Sequence, residues 1–275
     1  MSSSAQISRG LVKTSAGYIH YRSAGDGPAV VLFHINAQSS ALMIELVEAL
    51  AAGGVRAIAI DYPSHGHSDH VEAQPTISDY ARWALELLDG LGVDKFVALG
   101  EATGSVVAAE IVAQAPDRAS ALVLVNCPYV PPGTDYPERV KVTGDLRPAD
   151  ASGFPIIRSL EFMLDVDPTH SPVHPTQEWL DRLNTAQIEA GRQRWQAITA
   201  LKAHDIDSSF TGVKCPTLLL TGSRFYLAGN EDRVLGQISG SRAVTIENAA
   251  FCATWEHAGF VADQALAFLD EVAVI

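Results

Sequence analysis

Apolar runs of strand length recur along this chain with helix-like stretches between them, and that rhythm limits the folds open to it. Ala29 to Phe33 (AVVLF), Val55 to Ile60 (VRAIAI), Lys95 to Gly100 (KFVALG), Ala121 to Asn126 (ALVLVN) and Pro216 to Thr221 (PTLLLT) are nearly continuous hydrophobic runs. Such runs suit strands covered on both faces, where no alternation is required. Ser40 to Ala52 spaces Leu42, Ile44, Leu46, Val47 and Leu50 as one helix face. Thr76 or Ser78 can cap a helix running to about Leu91, and Ser105 to Ala115 reads as another. Strands alternating with helices predict a parallel sheet with helices on both faces.

Upstream, Tyr18 to Ser23 alternates and then meets the turn residues Ala24-Gly25-Asp26-Gly27-Pro28, which predicts a hairpin-like approach to the strand at Ala29. The polar first eight residues are expected to be poorly ordered. From Pro128 the rhythm breaks: prolines stand at 128, 131, 132 and 137, and helical stretches near Ile156 to Leu164 and Gln177 to Ala203 have no strand between them. An inserted helical cap over 128–210 is predicted, with 1–127 and 211–275 forming the core domain. Strands resume at Pro216 and at Ala243 to Asn248, and Gly259 to Val272 closes the chain as an amphipathic helix.

The 275 residues carry a formal net charge of −13, which disfavours nucleic acid and anionic membrane as partners. A small-molecule ligand fits better, in a monomer or homodimer. Cys127, Cys215 and Cys252 are odd in number and widely separated, so neither a disulfide framework nor a zinc cluster is expected, and a cytoplasmic setting is. His65, His67 and His70 sit in a glycine turn without a carboxylate on a rigid element, so no metal site is predicted there.

Between the strand ending at Leu99 and the helix from Ser105 stands Gly100-Glu101-Ala102-Thr103-Gly104. Together with Leu32-Phe33-His34-Ile35-Asn36 and the loop Asp61-Tyr62-Pro63-Ser64-His65-Gly66-His67-Ser68, it resembles the motif set of the α/β-hydrolase superfamily. The resemblance covers the chain from about Gly10. It implies a mostly parallel eight-stranded sheet with helices on both faces and a helical cap after the sixth strand. It also implies that the turn near Asn36 and the residue after the elbow, Thr103, supply oxyanion-hole amides.

Residue by residue, the resemblance places Ala102 where the family carries its nucleophile, Phe225 where it carries the acid and Phe251 where it carries the histidine. A methyl group cannot attack a carbonyl. In that family's cofactor-free ring-cleaving dioxygenases the working dyad would fall on Phe251 and Asn126, a departure from their pattern.

Ligands of open α/β sheets bind beyond the carboxyl ends of the strands. The predicted catalytic residues are therefore Glu101, His34, Thr103 and Asn36. Predicted to line the substrate are Ala102, Gln38, Ser39, Asn126, Tyr129, His174, Trp179, Arg224, Phe225 and Phe251, with Cys127, His170 and Tyr226 nearby. The competing reading makes Glu101 a turn-bonding structural carboxylate and His34 a packed residue orienting the oxyanion loop. The expected activity is oxyanion or enolate stabilisation with acid-base chemistry, as a lyase, decarboxylase, isomerase or direct hydrolase, without a cofactor. A small-molecule binding protein and an inactivated or atypical hydrolase remain open.

Overall fold

Alternate residues of one apolar strand must face opposite sides of the sheet, and both sides need cover. In the computed structural model, which describes residues 6–129, 150–153, 156–165 and 172–275, this is how the core divides. Val31 and Phe33 join one apolar cluster with Ala98, Val107 and Leu122, whereas Val30 and Leu32 join a second with Val97, Leu99 and Val123. Each of the Val, Leu and Phe side chains, fully buried, contributes about 1.5–3 kcal/mol relative to exposure.

The eight strands are β1 Ser8–Thr14, β2 Gly17–Ala24, β3 Ala29–Phe33, β4 Arg56–Ile60, β5 Phe96–Glu101, β6 Ala119–Val125, β7 Thr217–Gly222 and β8 Arg242–Ile246. Their spatial order is β1-β2-β4-β3-β5-β6-β7-β8. Pairing is antiparallel for β1 with β2 and for β2 with β4, and parallel from β4 through to β8.

Helices α1 Ile44–Ala52, α2 Ile77–Gly90 and α3 Thr103–Gln114 fill the crossovers. Thr76 starts α2 with a capping box, its hydroxyl accepting from Asp79 N while the Asp79 carboxylate accepts from Thr76 N. Between β6 and β7 the described residues form α4 Leu160–Asp165, α5 Gln177–Ala190, α6 Gln196–Ala203 and α7 Ile206–Gly212. After β7 come α8 Glu231–Gln237, α9 Ala253–Glu256 and α10 Ala258–Glu271.

Two expectations are corrected. The predicted hairpin between the Tyr18 strand and the Ala29 strand does not form: β2 pairs with β1 and β4, and β3 lies between β4 and β5. The hairpin is instead β1–β2, and Ser8 already belongs to a strand. Residues 1–5 lie outside the described residues. β1 escapes sequence reading because an edge strand exposes its alternate residues and needs no apolar run.

Register brings the strand ends level. Phe33 pairs with Gly100, Glu101 with Val125, and Val125 with Leu220, so the loops after β3, β5, β6 and β7 open at one edge of the sheet.

Candidate functional site at the turn after β5

Ala102 joins β5 to α3 with φ 50° and ψ −117°, a conformation that L-residues rarely adopt. Strain of this kind costs about 1–3 kcal/mol and persists only where its surroundings enforce it. Here Ala102 N donates to Val125 O at 3.0 Å, and Ala102 O accepts from Ser105 N at 2.9 Å and Ser105 Oγ at 2.7 Å. The flanking glycines permit the turn. A Cβ on Gly100 would lie 2.0 Å from Gly104 O, and one on Gly104 would lie 2.1 Å from Phe33 O. The start of α3 thus rests against the end of β3.

Neither the backbone N–H of Thr103 nor that of Asn36 donates a hydrogen bond among the described residues. Thr103 opens α3, whose aligned peptide dipoles place about half a positive charge at that end. Side chains lock the Asn36 loop. Asn36 Oδ1 accepts from Ile198 N of α6 at 2.9 Å, and Gln187 Nε2 of α5 donates to Ala37 O at 3.0 Å. Gln38 Nε2 contacts Cys252 Sγ at 3.6 Å, and Ser39 Oγ accepts from Ala41 N at 3.4 Å, starting a 3-10 turn at Ser40.

Glu101 has no exposed surface and accepts four hydrogen bonds. Oε1 receives Asn126 Nδ2 at 3.0 Å and Ala253 N at 2.8 Å, while Oε2 receives Thr254 N at 3.0 Å and Thr254 Oγ1 at 2.5 Å. Burial raises its pKa, with the donated bonds from Thr254, Asn126 and Ala253 opposing the shift. Asn126 is equally buried, at φ 47°, and besides Glu101 it donates to Ala250 O at 2.9 Å and accepts from Gly222 N at 2.9 Å. These two side chains tie β5, β6, β7 and the loop before α9 together.

His34 is held just as fully. Its Nδ1 lies 2.8 Å from Ile35 O and its Nε2 accepts from Tyr62 N at 3.2 Å, which assigns the proton to Nδ1. Burial lowers its pKa, so the ring is neutral. Tyr62 Oη donates to His34 O at 2.9 Å, and the Tyr62 and His65 rings pack beside it. His65 is pushed down to about 3 by burial and by nearby His34. Among the described residues no group of three His, Cys, Asp or Glu side chains could hold a metal.

Over the elbow lies an apolar cluster in which Ala102 meets Ile35, Leu42, Met163, Trp179, Leu180, Leu183 and Cys252. Sequence reading found Trp179 but missed Leu180, Leu183 and Met163. The available signal was the helical spacing of Trp179, Leu180, Leu183, Ala186, Gln187 and Ala190, the buried residues of α5. Phe225 and Phe251 meet edge-on, 5.4 Å between ring centroids, and Tyr226 stacks on Phe251 at 5.8 Å.

Tyr129 packs with Phe210 of α7 in the cluster on the α2/α3 side of the sheet. His174 is exposed, with its backbone N–H on Glu256 Oε1 at 2.7 Å, and the Arg224 side chain is exposed. His170 lies outside the described residues. The buried Cys127 thiol is pushed up to about 12, and Cys252 is also raised, so both are protonated at neutral pH. A cavity of about 520 Å³ lined by Ala29, Lys95, Phe96 and Val272 sits at the opposite edge of the sheet, where β3 and β5 begin.

A family model described as alpha/beta hydrolase fold matches residues 28–160, the stretch that holds the Asn36 loop and the elbow. The chain has the α/β-hydrolase fold. It is 27% identical over 262 residues to 2-hydroxy-6-oxononadienedioate/2-hydroxy-6-oxononatrienedioate hydrolase 2 of Pseudomonas putida, covering 87% of each chain. It is 31% identical over 135 residues to bifunctional epoxide hydrolase 2 of Mus musculus, a match that covers 47% of this chain and only 24% of the mouse protein. The crystal structure of an enol-lactonase from Burkholderia xenovorans LB400 superposes with a TM-score of 0.76 at 19% identity, covering 95% of this chain and 100% of that one. These α/β-hydrolase relatives are hydrolases, and no helix among the described residues is long and apolar enough to cross a membrane.

Proposed function

We propose that this chain is an α/β-hydrolase-fold enzyme working without a covalent acyl intermediate, on a small oxygenated organic substrate whose carbonyl or enolate oxygen rests on the Asn36 and Thr103 amides. The observation that carries this reading is Ala102, which keeps the strained backbone of a nucleophile-bearing turn while presenting a methyl group. Strain retained without a nucleophile argues that the turn still serves the amide beside it. One such donor contributes about 3–4 kcal/mol to transition-state stabilisation in hydrolases that use it.

The positions assigned to the acid and the histidine carry Phe225 and Phe251, whose rings touch, so no charge relay can form between them. Glu101 is a positioning residue in this reading: it holds the loop at Cys252 to Thr254 beneath the elbow, and His34 holds the oxyanion loop in the same way. The apolar side chains around Ala102 receive the carbon skeleton, with α4 to α6 acting as a cap. Enolate-forming cleavage, isomerisation and direct water addition all require what the two amides supply. Three free, buried thiols suit a reducing compartment.

A second reading, a small-molecule binding protein, is favoured by one observation: the polar atoms of both Glu101 and His34 are already bonded within the fold. Two measurements decide. Ala102→Ser assayed with p-nitrophenyl acetate is expected to show neither burst nor turnover, and rapid turnover would sink both readings by revealing a working base. Incubation of the protein with a pooled metabolite extract, followed by mass spectrometry, should show one substrate depleted and a product formed. Retention of an unchanged compound would instead establish the binding protein.

A further inference from the structure

Arg22 is 5% exposed, and no hydrogen bond or ion pair involves its guanidinium among the described residues. It stands on β2 between His20 and Ala24, on the sheet face covered by α1, and pairs in register with Arg9 of β1. Its Nε is fully buried without an acceptor, although an arginine in this setting ordinarily meets a carboxylate or carbonyl. The guanidinium stays charged, so an anion suits the unfilled Nε.

Among the described residues no carboxylate supplies one. Asp61 attracts Arg22, but its Oδ2 lies 2.8 Å from His20 Nδ1 and accepts from His67 N at 3.0 Å, while Oδ1 accepts from Ser40 N at 2.6 Å. Glu189 on α5 is drawn to His67, 3.9 Å away, across the seam between α5 and the loop after β4. Arg182, two turns earlier on the same helix, is bound to Glu45 at 2.8 Å and to Glu178. The charges acting on Arg22 are thus Arg9 and Arg182, which repel it, and Asp61 and Glu189, which attract it, and burial weakens its hold on its proton.

We propose that Arg22 anchors a binding slot for a small oxyanion, a carboxylate or a phosphate, at the seam between β2, α1 and the helix α5. The planar fork of the guanidinium engages two oxygens of such a group at once. Arg9 and Arg182 add positive potential, and Glu189 is the competing negative charge that sets the affinity. The site is separate from the elbow and does not depend on the reaction assigned there.

The test is calorimetric titration of the full chain with inorganic phosphate and, separately, with acetate, at constant ionic strength. Saturable binding of either anion is expected, and the one that binds identifies the class. Arg22→Met should weaken it about tenfold or more, and Arg22→Lys, which lacks the fork, should fall between. Glu189→Gln should bind several-fold more tightly. No saturable binding of either anion, or equal binding by Arg22→Met, overturns the proposal. Should Arg22→Met fail to fold, unchanged affinity in Glu189→Gln overturns it instead.

Discussion

The Asn126 amide donates to the Glu101 carboxylate at 3.0 Å, with both side chains fully buried, directly beneath the turn that carries Ala102. The same amide bonds Ala250 O and Gly222 N, so one side chain joins the ends of β5, β6 and β7 to the loop before α9. Asn126→Leu leaves three buried groups short of a partner and places a bulky residue at positive φ. A loss of about 3 kcal/mol is expected, read from the urea unfolding midpoint at unchanged slope. A loss below about 1 kcal/mol would show that the amide is not a structural joint.

Glu101→Gln replaces an acceptor-only group with one that carries an NH2 among four donors. At least one of Ala253 N, Thr254 N and Asn126 Nδ2 loses its acceptor, at about 1–3 kcal/mol. Faster hydrogen exchange should accompany this at Ala253 and Thr254. Unchanged protection there would remove Glu101 from its positioning role.

Ala102→Gly tests the strain. Glycine accepts φ 50° without penalty, which offsets the loss of one buried methyl worth about 0.8 kcal/mol. Thermal unfolding of the variant should match or exceed that of the parent, whereas an ordinary buried Ala→Gly change in a helix lowers stability. A marked drop in Tm would mean that the backbone is relaxed.

Gly104→Ala forces the opposite result. Its methyl would meet Phe33 O at 2.1 Å and His34 O at 2.8 Å, and both are backbone atoms that cannot turn aside. Destabilisation of about 3 kcal/mol is expected, with ligand binding at the elbow lost in the fraction that still folds. Wild-type stability in this variant would contradict the close approach of α3 to β3.

Acid should weaken the fold before the carboxylates titrate. His34 and His65 are buried neutral, with pKa values lowered, for His65 to about 3 against an unfolded value near 6.5. Between those values the unfolded chain binds the extra proton at His65, so that contribution is complete above about pH 6.5 and falls as pH drops, by about 1.4 kcal/mol per unit, and His34 acts in the same direction. Glu101, whose pKa burial raises, acts in the opposite sense above its unfolded value and offsets part of the slope. Urea midpoints measured from pH 7.5 to 4.5 should decline, and His65→Asn should flatten the decline. A flat profile would place a charge on one of these rings.

Much of the architecture was written into the chain locally. Runs such as AVVLF and ALVLVN must be hidden on both faces whatever surrounds them, which dictates a parallel, helix-covered sheet, and the glycines at 100 and 104 with Ala102 between them specify the sharp turn. Where β2 pairs, and where Glu101, His34 and Arg22 direct their polar atoms, was not legible. Glu101 finds its donors about 150 residues away at Ala253 and Thr254, and Asn36 finds Ile198 on α6. Periodicity reports which residues avoid water, because burial is an averaged property of a segment. A hydrogen bond depends on angstrom-scale placement of two groups that only the folded chain brings together, so which donors hold the Glu101 carboxylate was decided by the tertiary structure.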